Sequence, residues 1–238
     1  MNKRIYFSVA LILALGLLPV LAQEQRDETL ASVPELEAFH EVIYPIWHTA
    51  YPDKDYAALR GYAAEVKGLA QKIFEAKLPG ILREKQAKWE AGLAEFRKAV
   101  EEYSSAASAG SDEAIWSAAE ILHARYEMLV RLIRPVLKEV DDFHRELYVV
   151  YHKHLPAEDL AAIKAASSLL AQKVEAVVQA ALPKRLESKQ EAFHQAAVAL
   201  QDAVQGLVKA CAGDVGSTVE NAVNEVHSRY QALEKIFD

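Results

Sequence analysis

Three histidines and two tyrosines of the chain recur after an interval of 104 residues, so that ten residues form five matched pairs. The motif around them reads Phe-His-x-x-x-Tyr-x-x-x-His. It begins at Phe39 in the first copy and at Phe143 in the second, and Pro52 and Pro156 follow. Imidazole is the commonest metal ligand in proteins, and a tyrosine can lie beside it in a binding site. The pairs therefore predict binding chemistry, repeated once.

Histidines on two different helices are the candidates for a shared site. Counted at 3.6 residues per turn, His40 falls on the core-facing stripe of the first helix, and His123 lies at a similar depth on the fourth. We therefore expect His40 and His123 to form one layer inside the first copy, with Tyr44 and Tyr126 close by. The second copy repeats this layer, and each copy adds one outer histidine: His144, His227, Tyr148 and Tyr230, with His48 and His152 as the outer ligands.

Two imidazoles suit Zn, Cu or Ni, so the predicted partner is one of these ions or a small molecule in each copy. No carboxylate recurs with the histidines, since Glu41 aligns with Arg145 and Glu120 with Asn224. Di-iron and zinc-protease sites need such carboxylates, and we therefore do not predict an enzyme. A second interpretation stays open: a structural or adaptor protein whose repeated histidines are hydrogen-bonded core residues.

The helices that must position these residues recur as well. Residues 36–134 align with residues 140–238 without a gap, and 22 of the aligned positions are identical. Each half has four amphipathic stretches separated by prolines or small polar residues, and such short connections favour an up-down-up-down bundle. We therefore predict an all-α protein made by tandem duplication of a four-helix bundle, with copies at 33–138 and 139–238.

The junction between the copies has no loop-like pattern, although it contains Pro135. Apolar positions keep a helical spacing from Arg134 to Phe143. We therefore expect the fourth helix of the first copy to continue into the first helix of the second as one long helix, kinked at the proline. A single fused bundle is the alternative.

In general plan the chain resembles exported four-helix-bundle proteins of the cytochrome c′ and b562 kind. It lacks their haem-attachment residues and their Met/His axial pattern, so the resemblance implies the bundle plan and no site residue. Cys211 is the single cysteine. One cysteine excludes both an internal disulfide and covalent haem attachment through a Cys-x-x-Cys-His motif.

The first 22 residues have the features of a secretory signal peptide. Lys3 and Arg4 precede an apolar run from Ile5 to Leu21, and small residues lead to a cleavage site after Ala22. We therefore expect a periplasmic or secreted protein that keeps no membrane anchor after cleavage; a retained anchor is the alternative. Cleavage leaves 25 basic and 34 acidic residues, and this negative charge argues against nucleic acid as a partner.

Overall fold

The computed structural model describes residues 27–213 and 216–237, and every regular element in those residues is helical. The all-α prediction is confirmed. The predicted signal peptide, residues 1–22, lies outside the described residues, and no described helix is long and apolar enough to span a bilayer. The α-helices, in chain order, are α1 (Pro34–Pro45), α2 (Tyr56–Gly61), α3 (Ala63–Glu75), α4 (Gln86–Ala109), α5 (Asp112–Ile133), α6 (Lys138–Val149), α7 (Leu160–Gln179), α8 (Gln190–Ala212) and α9 (Gly216–Glu234).

Shorter helical turns of other types connect these helices, and most of them occur at matching places in the two halves. The π-helical turn Ile46–Ala50 follows α1, and Val150–His154 follows α6. The 3-10 segment Gly80–Lys85 precedes α4, and Lys184–Lys189 precedes α8. A final 3-10 turn, Lys235–Phe237, follows α9.

Pro52 and Pro156 account for the position of both π turns. A proline in a helix has no N–H, and its ring clashes with the carbonyl four residues earlier, which is that of the second motif histidine. The backbone widens instead: the N–H of Tyr51 donates to the carbonyl of Ile46 at 2.8 Å, five residues back. This extra residue in the turn rotates the side chains relative to a regular α-helix.

Consecutive helices pack against one another in each half. In the first half α3 lies against α1 and α4, and α4 lies against α5; in the second half α6 to α9 follow the same order. The second helix was predicted as one piece in both halves. In the first half it is divided at Tyr62, directly after Gly61, whereas alanines stand at both positions in the unbroken α7. Glycine has a poor helix propensity, which favours a break at this position.

Two clusters of buried apolar side chains form the cores, one in each half. Phe39 lies at the centre of the first, with its ring 5.2 Å from those of Phe96 and Tyr126. Phe143 belongs to the second cluster. Tyr148 is an exception, because it comes from the second half and packs with the first core. This side chain connects the two halves.

The predicted long helix across the junction is wrong. Helix α5 ends at Ile133 and α6 begins at Lys138, and the four residues between them are not helical. Arg134 has a ψ of 130°, an extended conformation that a following proline favours because its ring clashes with a helical residue before it. Pro135 therefore ends the helix instead of kinking it. The break lets α6 pack against the 3-10 segment that precedes α4.

Candidate functional site

The structure separates the two histidines that were expected to share a layer in the first half. His40 is exposed. The buried face of α1 consists of Leu36, Phe39, Val42 and Ile43. The ring of His123 instead stacks on that of Trp47, with 3.9 Å between centroids and 4° between planes. The prediction that His40 faces the core beside His123 is therefore wrong.

The two tyrosines of the first half also lie apart. Tyr44 is 54% exposed, and its ring lies 4.5 Å from that of His48, which is exposed as well. Tyr126 is buried and donates a hydrogen bond to the carbonyl of Leu36 at 2.9 Å. Burial raises the pKa of Tyr126 to about 12. Tyr126 is thus a core residue, whereas Tyr44 and His48 form an accessible pair.

In the second half, the counterparts of His40 and Tyr126 are in contact. The ring of His144 stacks on that of Tyr230 with 4.3 Å between centroids. Burial lowers the pKa of His144 to about 3, so the imidazole is neutral at physiological pH. Burial also raises the pKa of Tyr230, which keeps its hydroxyl protonated. The pair therefore presents uncharged polar groups.

Arg83, from the 3-10 segment of the first half, contacts two motif residues of the second. Its Nη2 donates to the hydroxyl of Tyr148 at 2.5 Å, and its Nη1 lies 3.0 Å from Nδ1 of His152. A guanidinium has donors only, so Nδ1 of His152 accepts this bond and carries no proton. Burial, and then the positive charge of Arg83, lower the pKa of His152, which favours that neutral state.

Glu84 contacts the third histidine of the second half. Its carboxylate accepts a hydrogen bond from the amide of Gln231 at 2.8 Å and lies 3.4 Å from Nε2 of His227. The hydrogen bond from His227 is the main cause that lowers the pKa of Glu84 to about 2. The residues that hold the halves together at this point are named the junction cluster: Arg83, Glu84, Tyr148, His152 and His227.

No group of three or more histidine, cysteine, aspartate or glutamate side chains within residues 27–213 and 216–237 is placed to hold one metal ion. The rings of His152 and His227 are 6.1 Å apart. Each of them contacts a charged side chain of the first half. The donor geometry therefore gives no support to the predicted Zn, Cu or Ni site, which stays a prediction.

A cavity of about 340 Å³ lies between the two halves, where the chain is not helical between α5 and α6. His144 and Tyr230 line it. Its apolar lining includes the buried side chains Ile81, Leu82, Ile133 and Val140, together with Ala31 and Phe237. The charged side chains of the lining are four basic and two acidic ones: Lys85, Lys88, Arg131, Arg134, Asp141 and Glu234.

Both acidic side chains of the lining are paired. Glu234 lies 3.6 Å from Nζ of Lys85, and Asp141 accepts a hydrogen bond from Arg145 at 2.6 Å. Lys85 also donates to the carbonyl of Leu132 at 3.3 Å, near the end of α5. Arg131 is paired as well, with its Nε 3.7 Å from the carboxylate of Glu127. The basic side chains of the lining still outnumber the acidic ones, so the lining has a net positive charge. A ligand with a negative group and an apolar body fits this lining.

No protein-family model, no curated protein and no solved structure matches the chain. A function cannot therefore be transferred from a relative. A function must instead be assigned from the positions, contacts and charges of the chain's own side chains. The relevant features are the junction cluster and the cavity between the halves.

The comparison of the two halves missed two residues of the junction cluster. Arg83 and Glu84 stand opposite a glutamate and a serine in the second half. A residue of the first half that contacts the second half makes this contact once. Its counterpart in the second half makes no such contact, so the two residues need not be identical. The available signal was a difference: the two 3-10 segments are alike at Leu82 and Lys85 but not at the residues between them.

Proposed function

We propose that the chain is an exported, non-catalytic binding protein, built by tandem duplication of a four-helix bundle, that holds a small molecule between its two copies. The cavity of about 340 Å³ carries this proposal. Pockets of roughly 300–1,000 Å³ at the boundary between domains are the usual places for small ligands. The site expected inside each copy is thereby moved to the junction, where His144 and Tyr230 line one cavity.

Local conformations support the duplicated plan. Lys54 and Glu158, which occupy matching positions, have φ angles of 53° and 54°. Such left-handed conformations are uncommon in residues other than glycine. The next residues, Asp55 and Asp159, each cap a helix by accepting a backbone hydrogen bond at 2.9 Å. Two copies of one ancestral unit would retain this turn at the same place.

The lining indicates the class of ligand. The apolar wall favours an aliphatic or aromatic body, since burial of apolar surface is stabilising. Basic side chains such as Arg134 and Lys88 attract a carboxylate or a similar anion. The neutral ring of His144 offers one donor and one acceptor.

Calorimetric titration with decanoate, a medium-chain carboxylate, tests this function. We expect one binding site per chain, with a dissociation constant on the order of 100 µM. Decanol, which has the same chain length and no charge, should bind at least about tenfold more weakly because it does not attract the basic side chains. Equal binding of the alcohol, several sites per chain or no binding of decanoate would contradict the proposal.

A further inference from the structure

The motif of the first half has the same side-chain geometry as the motif of the second. The rings of Tyr44 and His48 lie 4.5 Å apart at an angle of 40°, and those of Tyr148 and His152 lie 4.8 Å apart at 49°. The arrangement in the first half forms although Arg83 does not contact it there. It is therefore set by the helix itself.

The neighbouring ring pair is also repeated. Trp47 and His123 stack with 3.9 Å between centroids, and Tyr151 and His227 stack with 3.7 Å, each at an angle of 4°. The Trp47 ring in turn lies 4.5 Å from that of Tyr51. This stacking restricts the rings of Trp47 and Tyr51, which lie in the chain on either side of His48.

The second half shows what this arrangement binds. A single guanidinium, that of Arg83, donates to the tyrosine hydroxyl and to the histidine ring. Its central carbon lies 5.0 Å from the centroid of the Tyr148 ring, within the range of a cation–π contact. The planar fork of an arginine can donate two such bonds at once, which a lysine cannot match.

In the first half the same surface is open and more acidic. Tyr44 is 54% exposed. Glu41, one turn before Tyr44, stands where the second half has an arginine, and Glu127 stands where it has Gln231. Glu127 acts electrostatically on His123, as Glu84 does on the matching histidine of the second half. The carboxylate of Glu127 also lies 3.7 Å from Nε of the exposed Arg131. Such a surface ion pair is weak, so the carboxylate can still attract an incoming cation.

We propose that Tyr44 and His48 form a binding site for an arginine side chain presented by a partner protein. The inference is independent of the cavity. The chain's own second 3-10 segment does not fit in the way that the first one does, because it has a lysine in place of Gly80. A Cβ atom at Gly80 would lie 2.0 Å from the hydroxyl of Tyr148, so an equivalent approach to Tyr44 is blocked.

A peptide with the sequence of residues 78–88, which contains Arg83, is the probe. It is titrated into the full chain while NMR follows the ring signals of Tyr44 and His48. We expect saturable shifts with a dissociation constant on the order of 1 mM, as suits a single surface contact. His48→Ala and Tyr44→Phe should each weaken binding at least about threefold, and a peptide with lysine in place of arginine should bind about tenfold more weakly.

His194→Ala, which removes an exposed histidine of α8 outside both motifs, is the control and should leave binding at Tyr44 unaltered. The proposal is wrong if the shifts do not saturate by about 10 mM peptide, if His48→Ala binds equally well, or if the lysine peptide binds as tightly. Free arginine amide is the final comparison. If it binds as tightly as the peptide, the site recognises a small guanidinium compound and the proposed protein partner is overturned.

Discussion

Arg83 makes the most specific contact between the two halves. Its guanidinium joins a buried tyrosine hydroxyl and the unprotonated nitrogen of His152. Glu84, the next residue, holds the histidine of α9. Two adjacent side chains of opposite charge therefore attach the first half to two separate elements of the second, which fixes their relative orientation.

Arg83→Ala should lower the free energy of unfolding by about 1–2 kcal/mol, since it removes two hydrogen bonds to a charged group that lies near the surface. Urea unfolding followed by circular dichroism measures the change. Glu187→Ala changes the matching position of the second half and should stay within about 0.5 kcal/mol of the parent. An equal loss in both variants would mean that Arg83 has no special role at the junction.

His144 should make the free energy of unfolding depend on pH between about 5 and 6, which is above the range in which most carboxylates titrate. Its pKa falls from 6.5 in the unfolded chain to about 3 in the folded one because it is buried. Between these values the unfolded state binds one more proton, so stability decreases as the pH falls. One proton corresponds to about 1.4 kcal/mol per pH unit.

His144→Gln should therefore flatten the decrease in unfolding free energy between pH 6 and pH 5 by roughly 1 kcal/mol per unit. Denaturant titrations at several pH values give this slope. Glu84 titrates below this window, because its pKa is lowered from 4.5 to about 2. His40→Gln, which makes the same change at the exposed matching position, is the control for the substitution itself. A slope unchanged by His144→Gln would show that the ring is protonated in the folded protein.

The sequence located the motif, but it did not assign the correct residues to the core. Two overlapping stripes run along α1, one through His40 and Tyr44 and the other through Phe39 and Val42. The structure buries the second. Phe39 is as well matched between the copies as His40, so matching alone did not distinguish the stripes. The π turn that follows α1 contains an extra residue, so a constant period of 3.6 residues assigns the wrong helix face to the residues beyond it.

The helices themselves were largely predictable. Prolines, capping residues and apolar periodicity predicted that the chain is helical throughout, and every regular element in the described residues is a helix. The break between α5 and α6 was not predictable, because a proline either kinks or ends a helix according to what the neighbouring residues contact. Lys85 and Lys189 occupy matching positions and have a local role. Each donates a hydrogen bond to a backbone carbonyl near the end of the last helix in its own half.

Gly80 has a packing role that can be tested. A Cβ atom there would come within 2.0 Å of the Tyr148 hydroxyl and 2.6 Å of the Glu28 carboxylate. Tyr148 is buried and has little room to move. Gly80→Ala should therefore lower the free energy of unfolding by about 1–3 kcal/mol through overpacking, as measured by urea denaturation.

Gly206→Ala is the control for this substitution. Gly206 lies inside α8, and nothing lies within 4 Å of a Cβ atom placed there. An alanine in an open helical position should raise stability by about 0.5–1 kcal/mol. If Gly80→Ala is stabilising as well, the 3-10 segment does not pack against Tyr148 as described.

For the molecule as a whole, the break between α5 and α6 matters most. Residues 134–137, the non-helical segment of this break, all line the cavity. The cavity brings together side chains that are distant in the sequence, from Ala31 to Phe237. Comparison of the two copies cannot reveal such a site, because it exists once and draws different residues from each half.

Decanoate binding by an Ala31→Trp variant tests the central claim most directly. Ala31 lines the cavity, and an indole placed there takes up space that the ligand needs. Ala87→Trp, which adds the same group at an exposed position of α4, is the control. We predict that calorimetry finds one decanoate per chain in the parent and in Ala87→Trp, and at least about tenfold weaker binding in Ala31→Trp. Equal binding by all three proteins would contradict a ligand site between the halves.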